Sequence, residues 1–212
     1  IILRDFEQET CIILMLWAIA IISMKTQHTL KERVLLDRTL VQLQDGISIL
    51  PEDSRNYSRP VQALSEKERE FLLPRALLAG LHRFQSTENI QAVSSIVKDT
   101  CETEADRMET ELTIVRYIAW AIPSIGFLGT VRGIGTALGQ AYQAVSGDIV
   151  GVTQSLGVAF NSTFVALVVS IFLMFLLHQL QLLQDRLVLD CQNYCDERLI
   201  RHMQVPEKGE SN

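Results

Sequence analysis

The sequence predicts an all-α membrane protein, a helical bundle whose long helices extend into the cytoplasm, and three observations carry that prediction. Residues 149–184 contain no Asp, Glu, Lys or Arg, and the centre of that run, Phe164 to Leu177, is almost wholly aliphatic and aromatic. Extended back to Leu156, it reaches the roughly 20 residues that cross ~30 Å of hydrocarbon. A second apolar segment, Tyr117 to Gln140, is also long enough to span and holds Arg132 as its only charge. Charge is gathered elsewhere: Lys25 to Arg116 carry 13 of the 19 Lys and Arg and 15 of the 25 Asp and Glu. An average of 21% charged residues with net charge −6 would suit one soluble domain. Its partition instead describes a membrane protein with a polar domain inserted, and the charge-free run excludes a soluble protein with an apolar core.

Each element follows in order. Residues 1–9 (IILRDFEQE) open without Met and are expected to be a periplasmic segment with native chain missing upstream. Residues 10–24 are uncharged and stop at Lys25. At ~22 Å they are short for a span, and a buried core helix competes; Lys25 can snorkel to the headgroups, which favours a transmembrane helix.

Residues 25–115 are expected to form a cytoplasmic helical domain. Leu30, Val34, Leu36, Leu40, Leu43 and Ile47 keep helical spacing and continue the first span. Residues 51–60 (PEDSRNYSRP) have the composition of a linker. Ser65 to Glu68 is a capping box that opens a helix carrying Phe71, Leu72, Leu77, Leu78 and Leu81, kinked or restarted at Pro74. A stripe at Ile90, Val93, Val97, Cys101, Ala105, Met108, Leu112 and Val115 runs into the next span, residues 116–141, as one helix of about fifty residues. A periplasmic loop, 142–155, leads to the last transmembrane helix, 156–178. Leu180, Leu183, Leu187, Cys191 and Tyr194 carry the stripe onward as a cytoplasmic helix, 179–204, before a disordered tail, 205–212. Long helices leaving the bilayer together call for a bundle of several subunits.

Orientation follows from basic residues near the span ends. Lys25, Lys31, Arg33 and Arg38 follow the first span, Arg107 and Arg116 precede the second, and Arg186 and Arg198 follow the third; the opposite side has Arg4. By the positive-inside rule the insert and the C-terminus are cytoplasmic and residue 1 is outside. That count of spans requires an exported N-terminus or a further upstream helix, and the apolar opening favours the helix.

Candidate functional residues lie in the spans. Gly126 with Thr130, and Gly129 with Gly133 and Ala137, are four apart, so each set shares a face where another backbone can approach closely. Ordinary tight packing explains the glycines equally well, and Pro123 is a bend or a passive kink. Thr130 and the group Asn161-Ser162-Thr163 lie at mid-depth between apolar flanks and could line a narrow polar path, although a membrane Thr commonly bonds its own helix carbonyl. Arg132 is either a vestibule charge or a side chain that snorkels outward or pairs with an acid such as Asp148. No Asp or Glu falls in these spans, so a titrating carboxylate for ion transport has to come from another chain. The four cysteines (Cys11, Cys101, Cys191, Cys195) are expected to be reduced thiols, and neither they nor the four His have metal-ligand spacing. Enzyme motifs are absent, and nothing is basic enough for nucleic acid.

Ile122 to Ile134 (IPSIGFLGTVRGI) resembles the A-P-x-I/L-G-L-x-G-T-V-x-G-I helix of the MotA/TolQ/ExbB proton channel family, and Ala159 to Thr163 with the apolar run after it is similar to that family's last pore helix. The resemblance covers about 116–177. It implies a homopentameric ring in a bacterial inner membrane, around two single-span partners of the ExbD/TolR/MotB kind that each bring an Asp. Thr130 and Thr163 would face the pore, and H+ or Na+ flow would drive work on a periplasmic or envelope load. No cofactor is implied beyond the transported ion. The alternative is a non-conducting membrane scaffold of the same fold. Two departures stand out: Val158 occupies the position of a Glu in ExbB and TolQ relatives, and Arg132 replaces an apolar or aromatic residue.

Overall fold

A computed structural model describes residues 6–38, 40, 48–145 and 149–205. The described residues are mainly helical and form no strands: α1 (Phe6–Leu36), α2 (Ser54–Gln62), α3 (Glu66–Arg69), α4 (Leu72–Thr87), α5 (Ile90–Glu111), α6 (Thr113–Gly139), α7 (Ala141–Val145) and α8 (Val150–Arg198), with short 3-10 turns at Pro51–Asp53 and Ile200–His202. Three stretches are long and apolar enough to cross a membrane: Phe6–Leu36, Ile90–Gly139 and Val150–His202. The chain divides into two compact units, Ile1–Lys25 with Glu111–Leu180, and Thr26–Thr110 with Gln181–Asn212.

The first unit contains the apolar segments. Its core joins Cys11, Ala18 and Ile22 of α1 to Val115, Ile118, Ala119 and Ile122 of α6, and to Ala166, Leu173, Leu177 and Leu180 of α8. Where the apolar part of α1 ends, Lys25 pairs with Glu111. The ammonium therefore has a counter-ion as well as the headgroup reach expected of it.

The second unit is an aliphatic core in a polar coat. Leu72, Leu77, Leu81 and Phe84 of α4 meet Val93, Val97 and Cys101 of α5 and Val188, Cys191, Cys195 and Leu199 from the end of the chain. Ser65 caps α3 by accepting from the Glu68 amide while the Glu68 carboxylate accepts from the Ser65 amide, so the capping box forms, but the helix it opens ends at Arg69, and Leu72, Leu77, Leu78 and Leu81 belong to the separate helix α4. The Ser65 hydroxyl, which also donates to the Glu68 carboxylate at 2.7 Å, and the Ser65 amide together hold the Glu68 carboxyl below its ordinary range. Pro74 falls in the first turn of α4, where its missing amide costs no helical bond, and the chain restarts there. Glu32 of α1 is buried and accepts from the Leu72 amide that opens α4, stabilising the positive end of that helix. Glu104 of α5 is likewise buried and held by Arg75 at 2.7 Å and Arg107 at 3.5 Å. All four cysteines are free and buried, and hydrogen bonding with the Cys101 and Cys195 thiols, followed by burial, pushes the Cys191 thiol up. Among the described residues no cluster of metal-ligating side chains forms.

Several boundaries differ from those read in the sequence. Residues 51–60 are a 3-10 turn and most of α2, because Pro51 sits at a helix start where proline is tolerated and Ser54 and Val61 are buried as α2 packs on α4. The helix of the first span starts earlier, at Phe6, and ends at Leu36, before Leu40; Leu43 and Ile47 lie outside the described residues. The fifty-residue helix is α5 and α6, interrupted at Leu112, whose backbone remains right-handed helical. Within the expected loop 142–155, α7 extends to Val145 and α8 begins at Val150. Of the tail, 206–212 lies outside the described residues.

Candidate functional site

The site is assembled where α6 and α8 run antiparallel in close contact. A Cβ added at Gly126 would collide with the Ala166 Cβ, one at Gly129 would lie 2.6 Å from the Ser162 hydroxyl, and one at Gly133 would lie 2.5 Å from the Ala159 Cβ. As the number rises along α6 it falls by the same steps of three and four along α8. Gly126, Gly129 and Gly133 thus form one seam, and the glycines are where they are because a side chain would separate the two backbones.

That separation places hydroxyls against carbonyls. The Thr130 and Thr163 hydroxyls touch across the seam. Thr163 donates to the Gly126 carbonyl at 2.8 Å, Thr130 can reach the Ala159 carbonyl at 3.1 Å or the Gly126 carbonyl at 3.4 Å, and Ser162 donates to Ala159 at 2.9 Å. Each hydroxyl has one proton and two lone pairs, so these contacts are alternatives within a network of three rotors sharing two carbonyls. Such a network can reverse its direction of donation without moving a heavy atom.

Two turns toward the start of α6, Pro123 lacks the amide that would have donated to the Ala119 carbonyl. Ser170 of α8 supplies the replacement, its hydroxyl donating to that carbonyl at 2.8 Å. The carbonyl that Pro123 leaves open is therefore tied to the neighbouring helix, since an orphaned carbonyl in an apolar unit would be costly. At the other end of the cluster, Arg132 Nη2 lies 2.7 Å from Glu7 Oε2 of α1, with the Glu7 side chain 13% exposed and the Arg132 side chain 55% exposed.

A family model described as the MotA/TolQ/ExbB proton channel family matches residues 68–193, more than half of the sequence. The chain belongs to that family. It is therefore a multi-pass membrane protein of the proton channel type, in a family of channel proteins, not enzymes, that associate with single-span partner subunits in the membrane. Comparison with curated proteins and with solved structures finds no match.

The MotA/TolQ/ExbB match includes the whole of α6 and the part of α8 that faces it, but not α1. Of the residues singled out in the sequence, Thr130, Ser162, Thr163, Gly126, Gly129 and Gly133 are brought together, and Pro123 lies beside them through Ser170. Asn161 is not part of the cluster: one step along α8 from Ser162, it is exposed on the unit's surface. Arg132 meets an acid, Glu7; Asp148, the acid suggested by sequence, lies outside the described residues. Glu7 stands just before the first expected span, 10–24, and the helix that begins at Phe6 carries it to Arg132. Ser170 could have been found by asking which donor meets the carbonyl four residues before Pro123. Glu7 left no such trace, since the pairing depends on how α1 packs on α6.

Proposed function

We propose that the chain is the ring-forming subunit of an ion-driven motor in a bacterial inner membrane. Five copies surround two single-span partner helices of the ExbD/TolR/MotB kind, with the large insert and the C-terminus in the cytoplasm, and couple H+ or Na+ flow to work on a periplasmic or envelope load. What supports the reading most is the contact between the Thr130 and Thr163 hydroxyls within an apolar unit. Hydroxyls that exchange donor and acceptor roles can pass a proton to, or orient water beside, a carboxylate on a partner. A neutral ring can also turn past a protonated Asp without stranding a charge in lipid.

A second reading is a non-conducting scaffold of the same fold. Its support is that the same hydroxyls have backbone carbonyls as acceptors and so also act as packing bonds. Thr130→Val with Thr163→Val separates the two. The motor reading expects the variant to assemble as a pentamer by native mass measurement, to co-purify with the partner, and to lose ion-coupled activity. Retained activity removes the hydroxyl path, and a wild-type assembly without any companion polypeptide favours the scaffold.

A further inference from the structure

The Glu7–Arg132 pair is not absorbed by the function proposed above. A Cβ at Gly129 would lie 3.5 Å from the Glu7 Cβ and 2.6 Å from the Ser162 Oγ, so the stem of this carboxylate and the hydroxyl cluster meet the same point of α6. Arg132 holds Glu7 by an ion contact at 2.7 Å, yet the buried Oε2 has no aligned hydrogen-bond donor, and the next residue, Gln8, buries its Oε1 without one. Acidic and amide oxygens of this kind are the donors that hard cations take. A carboxylate so enclosed is costly without a positive partner, and here the partner is covalently attached to the neighbouring helix.

We propose that Arg132 is a tethered counter-ion filling a small-cation site built on Glu7, and that by filling it the guanidinium reserves the hydroxyl cluster for protons and turns away Na+. A proton can cross rotating hydroxyls without a coordination shell. A dehydrated Na+ needs several oxygens and a compensating charge, and the carboxylate beside the cluster is already engaged. The selectivity rests on the cluster being an ion path; the cation site does not.

The test uses the full chain with its co-purifying partner, in detergent, with NaCl against choline chloride. Sodium NMR line broadening and melting temperature are the readouts. Wild type and Arg132→Lys should be indifferent to Na+. Arg132→Gln should acquire saturable Na+ binding and a rise in melting temperature of roughly 3 °C at saturation, and Glu7→Gln/Arg132→Gln should lose both. A Na+-indifferent Arg132→Gln protein, or a response that survives in the double variant, overturns the site. Should Arg132→Gln fail to assemble, wild-type proton flux in vesicles decides: equal flux in the two salts supports the inference, and competition by Na+ overturns it. A wild type that moves no ion in either salt refutes the motor reading, and the binding arm still decides whether Glu7 forms a cation site.

Discussion

The two compact units of this chain hold together by opposite means. In the unit formed by residues 26–110 and 181–212, large side chains do the joining: Leu72, Leu77, Leu81, Phe84 and Leu199 are all but fully buried, and water drives them together. In the unit formed by residues 1–25 and 111–180, the decisive contacts are between residues with almost no side chain, Gly126 with Ala166 and Gly133 with Ala159. Lipid tails are as apolar as leucine, so apolar burial cannot select a partner helix there; close backbone approach and hydroxyl-to-carbonyl bonds can. The comparison teaches that a missing side chain is a gap to fill in one unit and the binding surface itself in the other.

The same substitution in each unit is the strongest way to break that comparison. Gly126→Ala sets one methyl against another on the facing helix, where neither has a rotamer to escape into. It should cost about 3 kcal/mol, the upper end for overpacking, even after the ~1 kcal/mol that alanine gains as a helix former. Gly80→Ala also meets close neighbours, Leu199 Cδ2 at 3.1 Å and Val97 Cγ2 at 3.2 Å, but these are side-chain tips that can yield. Its net effect should stay within about 1 kcal/mol. Thermal unfolding of the two purified variants gives the contrast, and Ala166→Gly should restore the Gly126→Ala protein. Equal losses at both glycines would remove the distinction between the units.

The difference between the units also explains what could be read in advance. Spans announce themselves through absent charge, and a close seam through Gly126, Gly129 and Gly133, because both properties belong to contiguous sequence. The capping box at Ser65 was legible for the same reason. The segment 51–60 was not: Pro, Ser, Asp and Asn describe a linker by composition, and it becomes helix because α4 buries Ser54 and Val61. Within the site, Thr130 and Thr163 could be paired by depth along two spans. Asn161 stands apart from the hydroxyl cluster because depth says nothing of azimuth, and one residue along α8 turns a side chain through about 100°. Arg132 was recognised as exceptional, but its partner lay more than a hundred residues away on a helix start that composition placed outside the span.

A smaller effect sharpens the account of polar bonds in the first unit. Ser170→Ala removes the donor to the Ala119 carbonyl that Pro123 leaves open, and it should cost about 1 kcal/mol. Replacing the proline is the informative step. Pro123→Ala returns an amide donor within α6, so in that background Ser170→Ala should become nearly neutral, which a double-mutant cycle on unfolding measures directly. Additive losses would mean that Ser170 acts through packing.

The smallest effect lies in the second unit and concerns pH. Burial is the main cause that raises the Glu32 carboxyl above its ordinary range, and Glu104 adds to it; the Leu72 amide, His28 and Arg107 work in the opposite direction. The folded chain therefore holds this proton more tightly than the unfolded chain does. Its contribution to stability is fully present below the ordinary carboxylate value and is lost as pH rises through the elevated folded value. Glu68 has the opposite sign, contributing above the ordinary value and losing it as pH falls. Glu32→Gln keeps an oxygen for the Leu72 amide and removes the titration, so its unfolding midpoint, followed from mildly acidic to neutral pH, should fall less steeply than that of the wild type. An unchanged slope would place the pH dependence elsewhere. A steeper slope would mean that the Glu32 charge stabilises the start of α4 by more than its burial costs, and the aliphatic unit would then depend on a buried polar contact as the glycine seam does.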